Sequence, residues 1–481
     1  MCIEKGGRKE KMKRTLALLT AIIMLASLLA ACGGGKNDNS GGSNGGSNTP
    51  SNADSGSNGS DGSGGSGEKI KINLWSFTDE IPGMTEKYLE LFPDANVEFN
   101  PTIIATTDGA YQPALDQALV AGGKDAPDIY AAEAAFVLKY TQGDMSDFAA
   151  AYADLGLTDD MVKEAGIAEY TVDIGSKDGV LKGLGYQATG GAFIYRRSIA
   201  KDVFGTDDPE VIKNEIGPGW DKFFEAAEKL KAKGYAIVSG DGDIWHPIEN
   251  SSDQGWIVDG KLHIDPKREE FLDLSKKLKD NGYHNDTKDW SEAWYADMNG
   301  TGPKPVFGFF GPAWLINYVI GDHGKDTFGD WAVTEPTTGF FWGGTWLLAN
   351  KEVLKDEAKK QAVADFIKWV TLDASETGLQ YFWANGTMKE GEQGTKDAVA
   401  SSVVMEKSNG ELDLLGGQNM FEVFVPANAN ATGKNLTQYD ESINLIWRDQ
   451  VREYAAGNKS REQALQDFKN RVRDELGIDP E

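Results

Sequence analysis

Tryptophan and carboxylate side chains are the residues of this sequence with the most evident chemical potential. The 481 residues include 13 Trp and 75 Asp plus Glu, and the formal net charge is −27. A Trp ring offers a flat apolar face and one N–H donor, and a carboxylate accepts hydrogen bonds at two oxygens. Together they suit a cleft that stacks against a small ligand and hydrogen-bonds it, whereas the negative charge disfavours nucleic acid as a partner.

Other chemistries have weaker support. The histidines are scattered and both cysteines lie near the N-terminus, so a zinc cluster is not expected. Asp241-Gly-Asp243 is too short for a calcium loop and predicts a polar turn. No Gly-rich phosphate loop with a following Lys and Ser/Thr occurs. Paired acids could hydrolyse a glycosidic bond, so a hydrolase stays open as an alternative.

The first 31 residues have the pattern of a secretory signal peptide. Basic residues precede an apolar run from Leu16 to Ala30, which at about fifteen residues is short for a membrane span. The run ends in Leu29-Ala30-Ala31-Cys32, which resembles the bacterial lipoprotein box, whose cysteine is lipidated. We therefore predict a signal peptide over 1–31 and lipidation of Cys32. The alternative is an ordinary signal peptide with a chance cysteine.

Residues 33–67 are mostly Gly, Ser and Asn. Such a segment cannot bury much apolar surface and is expected to behave as a flexible coil. The sequence thus predicts that 32–67 comprises the lipidated cysteine and a linker, with a reach of roughly 30–35 Å by random-coil scaling.

From residue 68 onward, apolar periodicity predicts alternating strands and helices. Strands are expected at 69–76, 97–100 and 127–130, with helices around 84–92 and 111–122. Further on, Asn350 is expected to cap a helix that runs to Val370. Ser460 and Gln463 predict a capping box for a helix that ends at Gly477. This order predicts an α/β fold with a largely parallel sheet and ligand groups after strand ends.

Several short motifs occur in a consistent order. They are Trp75-Ser-Phe77, Gly122-Gly-Lys-Asp-Ala-Pro-Asp-Ile129, Gly191-Ala-Phe-Ile-Tyr-Arg196, Trp220-Asp221, Gly308-Phe-Phe-Gly-Pro-Ala-Trp314, Thr334-Glu-Pro336 and Trp342-Gly-Gly-Thr-Trp346. With the predicted lipidated cysteine and linker, they resemble the extracellular solute-binding proteins, family 1, of bacterial ABC importers. The resemblance is closest to the carbohydrate-binding branch that includes maltose-binding protein, and it covers essentially all of 68–481. Arg196-Arg197 departs from the usual Asn-Lys of the family, at residues that normally face away from the ligand.

The resemblance implies an α/β fold with two lobes, each a mostly parallel sheet flanked by helices, joined by hinge crossovers. The implied N-terminal lobe covers 68–187 plus 343–395, and the C-terminal lobe covers 188–342 plus 396–481. Crossovers are expected at 187–190, at 339–344 and near 395, where glycines suit large changes of φ and ψ.

The resemblance, together with position in the chain, also singles out aromatic residues for the cleft. Trp75 ends the first strand, Trp314 lies in the Gly-Pro-Ala-Trp segment and Trp342 lies at a crossover, so these three are expected to form its aromatic part. Trp245, beside His246, is expected to line the second lobe. Three other tryptophans are expected to pack helices against the core: Trp220, Trp369 and Trp447.

Polar ligand contacts are expected from loops that follow strands and from the crossovers. The candidates are Asp79, Glu80, Glu133, Tyr186, Gln187, Thr189 and Gly344. A carboxylate can accept hydrogen bonds from two adjacent hydroxyls, which suits a neutral sugar. The alternatives are a helix N-terminal charge for Glu133 and solvated surface positions for Asp79 and Glu80.

The resemblance implies capture of a sugar or oligosaccharide outside the cell and delivery to the permease subunits of an ABC transporter by hinge closure. The implied protein is a monomer on the outer face of the cell membrane, anchored through lipid on Cys32. Neither enzymatic activity nor a cofactor is expected. A secreted glycoside hydrolase and a metal-binding protein of the same importer class remain the alternatives.

Overall fold

The computed structural model describes residues 68–106 and 109–481. The predicted signal peptide, the lipidation site Cys32 and the linker up to residue 67 lie outside these residues. Within the described ranges, no helix has the length and apolar character needed to cross a bilayer.

The fourteen strands among the described residues are mostly short. They are β1 (Ile70–Ser76), β2 (Val97–Ile103), β3 (Ile129–Glu133), β4 (Ser176–Lys177), β5 (Val180–Leu181), β6 (Gly183–Gly185), β7 (Ala192–Arg196), β8 (Ile257–Val258), β9 (Lys261–Leu262), β10 (Gly308–Gly311), β11 (Trp331–Thr334), β12 (Thr345–Ala349), β13 (Glu411–Leu412) and β14 (Gln418–Asn419).

Eighteen α-helices surround these strands in the described part of the chain. They are α1 (Glu80–Leu91), α2 (Tyr111–Ala121), α3 (Ala134–Thr141), α4 (Asp159–Glu164), α5 (Glu169–Gly175), α6 (Arg197–Phe204), α7 (Pro209–Ile216), α8 (Trp220–Ala232), α9 (Trp245–Asn250), α10 (Pro266–Asn281), α11 (Glu292–Met298), α12 (Gly321–His323), α13 (Glu357–Thr371), α14 (Leu379–Asn385), α15 (Ser402–Glu406), α16 (Phe421–Asn430), α17 (Asp440–Ala455) and α18 (Arg461–Leu476).

Two sheets carry the architecture. The first has the order β2-β1-β3-β12-β6, and the second has the order β10-β7-β11. In the first sheet β1 pairs in parallel with β2 and β3, whereas β12 runs antiparallel to β3 and β6. The α/β class is confirmed.

Strand direction in the second sheet differs from the expectation of mostly parallel sheets. β7 pairs antiparallel with both β10 and β11. Parallel pairing there is limited to isolated bridges such as Ala236 with Val306 and Val238 with His284. Parallel neighbours need a crossover connection such as a βαβ unit, and neither β10 nor β11 joins β7 in that way, so this sheet is antiparallel.

Both sheets are covered by side chains on both faces, as the alternation along each strand shows. In β12, Leu347 and Ala349 pack into one core while Trp346 and Leu348 pack into another. In β7, Phe193 and Ile194 likewise point to opposite cores of the second sheet. Strands buried on two faces have continuous apolar sequences, which explains Ala192–Arg196 and Thr345–Ala349.

Helix ends follow the sequence signals, with one correction. Ser460 Oγ accepts the N–H of Gln463, which is the Ser460 half of the predicted capping box, and Gly477 ends α18 in the left-handed region as predicted. Asn350, however, caps only a short 3-10 helix over Lys351–Lys355. Asp356 caps α13 instead, because its carboxylate accepts the N–H groups of Ala358 and Lys359.

The chain passes from the first sheet to the second between β6 and β7, and back between β11 and β12. The two connecting segments pair with each other: the N–H of Gly191 donates to Phe340 O at 2.8 Å, and the N–H of Trp342 donates to Thr189 O at 3.1 Å. We call this pair of segments, 189–191 and 340–342, the crossover pair. Here Gly191 is required by close packing, since a Cβ on it would lie 1.9 Å from Cζ of Phe340.

Replacing Gly191 by Ala is expected to lower the free energy of unfolding by about 1–3 kcal/mol, because the buried Phe340 ring must move. The matched control is Gly83→Ala in α1, where a Cβ meets no atom within 4 Å. That change is expected to raise stability by about 0.4–1 kcal/mol. Urea unfolding followed by Trp fluorescence measures both, and equal stability of the two variants would contradict the packing argument.

Candidate functional site

A cavity of about 460 Å³ opens beside the crossover pair. Phe341, Trp342 and Gly343 of the crossover region form part of its lining. The remaining lining comes from the start of α3, from α9, from residues 288–290, and from 436–452 at and before α17. We call it the cleft cavity. Its walls therefore come from segments that flank both sheets.

Three tryptophans form a stacked cluster at this cavity. The Trp290 and Trp314 rings are parallel, with centroids 5.8 Å apart at 9°. Trp342 meets Trp314 edge to face at 4.8 Å, and Trp314 Nε1 donates to Trp342 O at 2.9 Å. The hydrogen bond to Trp342 O thus fixes the indole of Trp314, and one face of the Trp290 ring stacks on it.

Trp290 is the exposed member of the cluster. The residue is 53% exposed, although its ring is among the largest apolar groups of the chain. Its backbone has φ +63°, a left-handed conformation that non-glycine residues rarely adopt. Backbone strain at an exposed aromatic ring is a feature found at binding sites, where the fold holds the ring ready for a partner.

A chain of polar groups runs from Trp342 into the core. The imidazole of His246 stacks on Trp342 with centroids 4.4 Å apart. Its Nδ1 lies 3.5 Å from Glu249 Oε2. Asn444 donates to Glu249, and its own Oδ1 accepts from Trp256 Nε1 at 2.7 Å. Each of these side chains is therefore oriented by the next one.

Two arginines of α17 reach the cavity already engaged with carboxylates. Arg448 forms an ion pair with Asp289, and Arg452 Nε lies 3.2 Å from Asp241 Oδ1. Burial tends to raise the pKa of Asp289, but the charge and hydrogen bond of Arg448 outweigh it, so this pKa is lowered. Asp289 therefore stays ionised, and the positive charge of Arg448 is locally balanced.

Glu133 lies where β3 ends and α3 begins. Its Oε2 accepts the N–H of Ala135 at 2.8 Å, so it caps α3, as the dipole alternative proposed. It also lines the cleft cavity. Burial raises the pKa of Glu133 to about 7, offset by the Ala135 N–H and reinforced by repulsion from Glu441. Glu133 can therefore cap the helix and also line the cavity.

Asp440 and Glu441 open α17 and face the same cavity. Asp440 Oδ1 accepts from both the N–H and the hydroxyl of Thr437, at 2.9 and 2.7 Å. Burial raises the pKa of Asp440 to about 6, against the lowering effect of Arg268. Glu441 is exposed overall, and desolvation of its carboxyl beside the cavity walls, followed by repulsion from Glu249, raises its pKa.

Several of the predicted ligand-binding residues meet at this cavity. Glu133, Trp245 and Trp342 line it, although Trp245 is itself almost fully buried and packs on Phe271. Trp314 stands behind the lining. Thr189 and Gly344 lie beside it, because Thr189 Oγ1 donates to Gly343 O at 2.7 Å and the N–H of Ala134 donates to Gly344 O.

Glu80 and Gln187 belong to a second polar cluster outside the cleft cavity. Tyr186 OH donates to Glu80 Oε2 at 2.7 Å, and Gln187 Nε2 donates to Asp397 Oδ2 at 2.9 Å. Burial raises the pKa of Asp397 to about 7, offset mainly by the Gln187 hydrogen bond. Burial also raises the pKa of Glu80. Ligand contact by Glu80 and Gln187 stays a prediction.

Trp75 and Asp79 are also placed away from the cavity lining. Trp75 is half-buried and packs against the aromatic core around Tyr111, whose hydroxyl donates to Trp75 O at 3.3 Å. Asp79 is exposed before α1. Their ligand contact likewise stays a prediction.

The expected packing roles of three other tryptophans are confirmed. Trp369 and Trp447 are buried in the cores, and Trp220 packs edge to face on Phe223. The predicted polar turn at Asp241–Asp243 is wrong, because these residues belong to a buried 3-10 helix over Asp241–Ile244. Asp243 accepts the N–H groups of Ser239 and Gly240 and the Nε1–H of Trp294.

Sequence reasoning did not assign a site role to Trp290, Asp440, Glu441 or Arg448. Trp290 lies in none of the motifs that carry the resemblance. Asp440 and Glu441 carry the ordinary signal of acids in the first turn of a helix, which is explained by the helix dipole alone. Their proximity to Glu133 follows from tertiary packing of α17 against α3.

The two sheets, the crossovers and the cleft define a two-lobe binding protein of the periplasmic-binding-protein fold. The family model for bacterial extracellular solute-binding proteins matches residues 90–398. The chain therefore belongs to the bacterial extracellular solute-binding protein family. No match to a curated protein sequence is found.

Solved structures share this fold at low sequence identity. An extracellular solute-binding protein of family 1 has 19% identity and a TM-score of 0.68, covering 83% of this chain and 99% of that one. The ABC transporter associated binding protein of B. animalis subsp. lactis Bl-04, in complex with β-1,6-galactobiose, has 22% identity and a TM-score of 0.57, covering 86% and 100%. The sugar-binding protein MalE of Xanthomonas citri has 14% identity and a TM-score of 0.62, covering 85% and 98%.

Replacing Glu133 by Gln is expected to change how stability depends on pH. The folded-state pKa of about 7 lies above the ordinary value of 4.5, so the folded protein binds more protons than the unfolded chain between these pH values. The contribution of Glu133 to stability therefore falls as pH rises from about 4.5 to 7. In Glu133→Gln this fall is removed, while the amide oxygen can still accept the Ala135 N–H. Urea titrations across this range test it, and parallel curves for the two proteins would contradict the raised pKa.

Proposed function

We propose that the protein captures a sugar or an oligosaccharide outside the cell and delivers it to the permease subunits of an ABC transporter. The observation that carries the proposal is the exposed, strained Trp290 on the Trp314–Trp342 cluster, next to the carboxylates of the cleft cavity. A sugar has apolar C–H faces for the ring and hydroxyls for the carboxylates. The sugar ligands of several proteins with the same fold support the same class.

Closure of two lobes around the sugar is the proposed mechanism. The N-terminal lobe would comprise 68–187 plus 343–395, and the C-terminal lobe 188–342 plus 396–481, with the crossover pair as the hinge. By these bounds Glu133 belongs to the N-terminal lobe, whereas Trp290, Trp342 and α17 belong to the C-terminal lobe, and all of them line the same cavity. A ligand that contacts both groups favours the closed arrangement, because only there does it gain all of its contacts.

Binding without hydrolysis is part of the proposal. The family is one of binding proteins, and three of the cavity carboxylates already make contacts within the fold: Glu133 caps α3, Asp289 pairs with Arg448 and Glu249 accepts from Asn444. A glycoside hydrolase needs one free acid and one free carboxylate on either side of a glycosidic bond. Product analysis after long incubation with each bound oligosaccharide tests this point.

Replacing Trp290 by Gly is expected to weaken sugar binding by about 5-fold to 150-fold, the loss for one stacked ring by analogy with base stacking. Stability should change by less than about 1 kcal/mol, because Gly relieves the left-handed strain while the Trp314 contact is lost. A thermal-shift screen with maltose, β-1,6-galactobiose and lacto-N-biose selects the sugar, and calorimetry measures its affinity.

The control for this experiment is Trp369→Ala in α13, a buried ring remote from the cavity. It should cost about 3–5 kcal/mol of stability and leave sugar affinity unchanged in the folded protein. Unaltered affinity in Trp290→Gly, alongside measurable binding by the parent, would contradict the stacking role.

We further propose that the protein is a monomeric lipoprotein tethered to the outer face of the cell membrane through Cys32. The proposal is supported by the Leu29-Ala30-Ala31-Cys32 box and the polar linker that follows. A linker with a reach of about 30–35 Å allows the binding domain to reorient at the membrane surface.

Replacing Cys32 by Ser in the full chain is expected to move the protein from the membrane fraction to the medium, because no thiol remains to accept the lipid. Immunoblotting of both fractions measures it, and Ser40→Ala in the linker is the control. Retention of Cys32→Ser in washed membranes would contradict the anchor.

A further inference from the structure

Arg268, on α10, is a buried arginine without a close counter-charge. The residue is only 2% exposed, and its Nη1 donates to Gln254 O at 3.1 Å. Its Nε makes no hydrogen bond within the described residues, and no carboxylate oxygen of these residues lies within 4.0 Å of its nitrogens. A guanidinium stays charged when it is buried, and a buried charge without a partner is costly. Such a charge calls for a role that packing alone does not provide.

Two kinds of interaction offset the cost of this charge. The guanidinium carbon lies 4.5 Å from the centroid of the Trp256 ring, and this ring is fully buried, so water does not screen the cation–π attraction. Burial lowers the pKa of Arg268, and attraction to Asp440, followed by Glu249, partly offsets it. Both of these carboxylates belong to residues that line the cleft cavity, whereas Arg268 does not line it. The charge of Arg268 therefore acts on the cavity from within the core.

Trp256 also begins a chain of contacts that ends at the cavity. Its Nε1 donates to Asn444 Oδ1 at 2.7 Å, and because an indole nitrogen can only donate, this bond fixes which end of the amide faces Trp256. The amide nitrogen then donates to Glu249 Oε1. The other oxygen of Glu249 lies 3.5 Å from His246 Nδ1, and the His246 ring stacks on Trp342 with centroids 4.4 Å apart. The last four of these residues line the cleft cavity.

Glu249 is the member of this chain that needs its charge. Both of its oxygens face donors, one in Asn444 and one in His246. A protonated carboxyl group would have to donate from one oxygen, and one of these two side chains would then lose its acceptor. Burial acts to raise the pKa of Glu249, but His246 and then Arg268 lower it below its ordinary value. The positive charge of Arg268 thus helps to keep Glu249 ionised.

We propose that Arg268 is a positioning residue of the cleft cavity, and that its charge keeps both oxygens of Glu249 available as acceptors. Glu249 then holds the amide of Asn444 and the imidazole of His246. That imidazole in turn holds Trp342 in the orientation in which it lines the cavity. This role rests on the proposed function and adds to it a residue that touches no ligand.

The charges that act on Glu249 come from three helices. They are those of His246 on α9, Arg268 on α10, and Asp440, Glu441 and Arg448 on α17. The two acids of α17 repel Glu249, so loss of the Arg268 charge is expected to raise its pKa. Burial already raises the pKa of Asp440 to about 6 against the attraction of Arg268, and this pKa is expected to rise as well. The effect of removing the charge on sugar binding should therefore grow as pH falls.

Sugar affinity of two Arg268 variants at about pH 5.5 and about pH 8.5 tests this role. Arg268→Met replaces the guanidinium by an unbranched apolar side chain, whereas Arg268→Lys keeps a positive charge. Calorimetry uses whichever of maltose, β-1,6-galactobiose and lacto-N-biose binds the parent. Arg268→Met should bind about tenfold more weakly than the parent at the lower pH, the loss expected for a hydrogen bond to a charged group, and within about threefold at the higher pH. Arg268→Lys should stay within about threefold of the parent at both.

The matched control is Arg461→Met on α18. Arg461 pairs with Glu269 and Asp273 of α10, so it contacts the same helix as Arg268 but does not line the cavity. This variant should keep the affinity of the parent at both pH values. Urea unfolding shows whether each variant is folded. If Arg268→Met does not fold, Glu249→Gln replaces it, and its amide, which accepts at one end only, should weaken binding about tenfold at both pH values.

Each result has one meaning. Parent-like affinity of folded Arg268→Met at the lower pH overturns the positioning role, as does parent-like affinity of Glu249→Gln where it takes the place of Arg268→Met. A loss that is the same at both pH values, or that Arg268→Lys shares in full, overturns it too, because side-chain shape rather than charge would then be responsible. These results leave the proposed function standing, since the parent binds sugar. Absence of binding by the parent to every sugar of the screen contradicts the proposed function and this role together.

Discussion

The pairing of the two crossover segments is the contact on which the site depends. Gly191 and Trp342 donate to Phe340 O and Thr189 O, so the segment that leaves the first sheet is held against the one that returns to it. The same returning segment carries Trp342 and Gly343, and Gly344 O then accepts the N–H of Ala134 at the start of α3. One continuous set of backbone hydrogen bonds thus fixes both the aromatic and the acidic side of the cavity.

The aromatic side is built outward from that backbone. Trp342 O accepts from Trp314 Nε1, and the Trp314 ring supports Trp290. Trp290 is held in a left-handed conformation with its ring exposed, which costs free energy unless a partner or a packed neighbour compensates. The parallel contact with Trp314 compensates in part, and a stacked ligand would supply the rest.

Much of the fold could be predicted from sequence because its signals are local. Alternating Ile72 and Leu74 predict β1, and Ser460 with Gly477 delimit the last helix. The positions of Glu133 and Trp342 at the cavity could be predicted for a related reason, since Glu133 ends a strand and Trp342 lies at a crossover. The antiparallel second sheet and the cap by Asp356 could not be predicted from sequence. Strand direction and the competition between two possible caps are decided by tertiary structure.

The position of Asp440 and Glu441 at the cavity could not be predicted for the same reason, since only the packing of α17 brings them to Glu133. The central claim is that a sugar draws the two sides of this cavity together about the crossover pair. Small-angle scattering of the protein with and without a saturating sugar tests it most directly, with binding confirmed by calorimetry in the same sample. The account predicts a smaller radius of gyration with sugar, and an unchanged radius at saturation would contradict it.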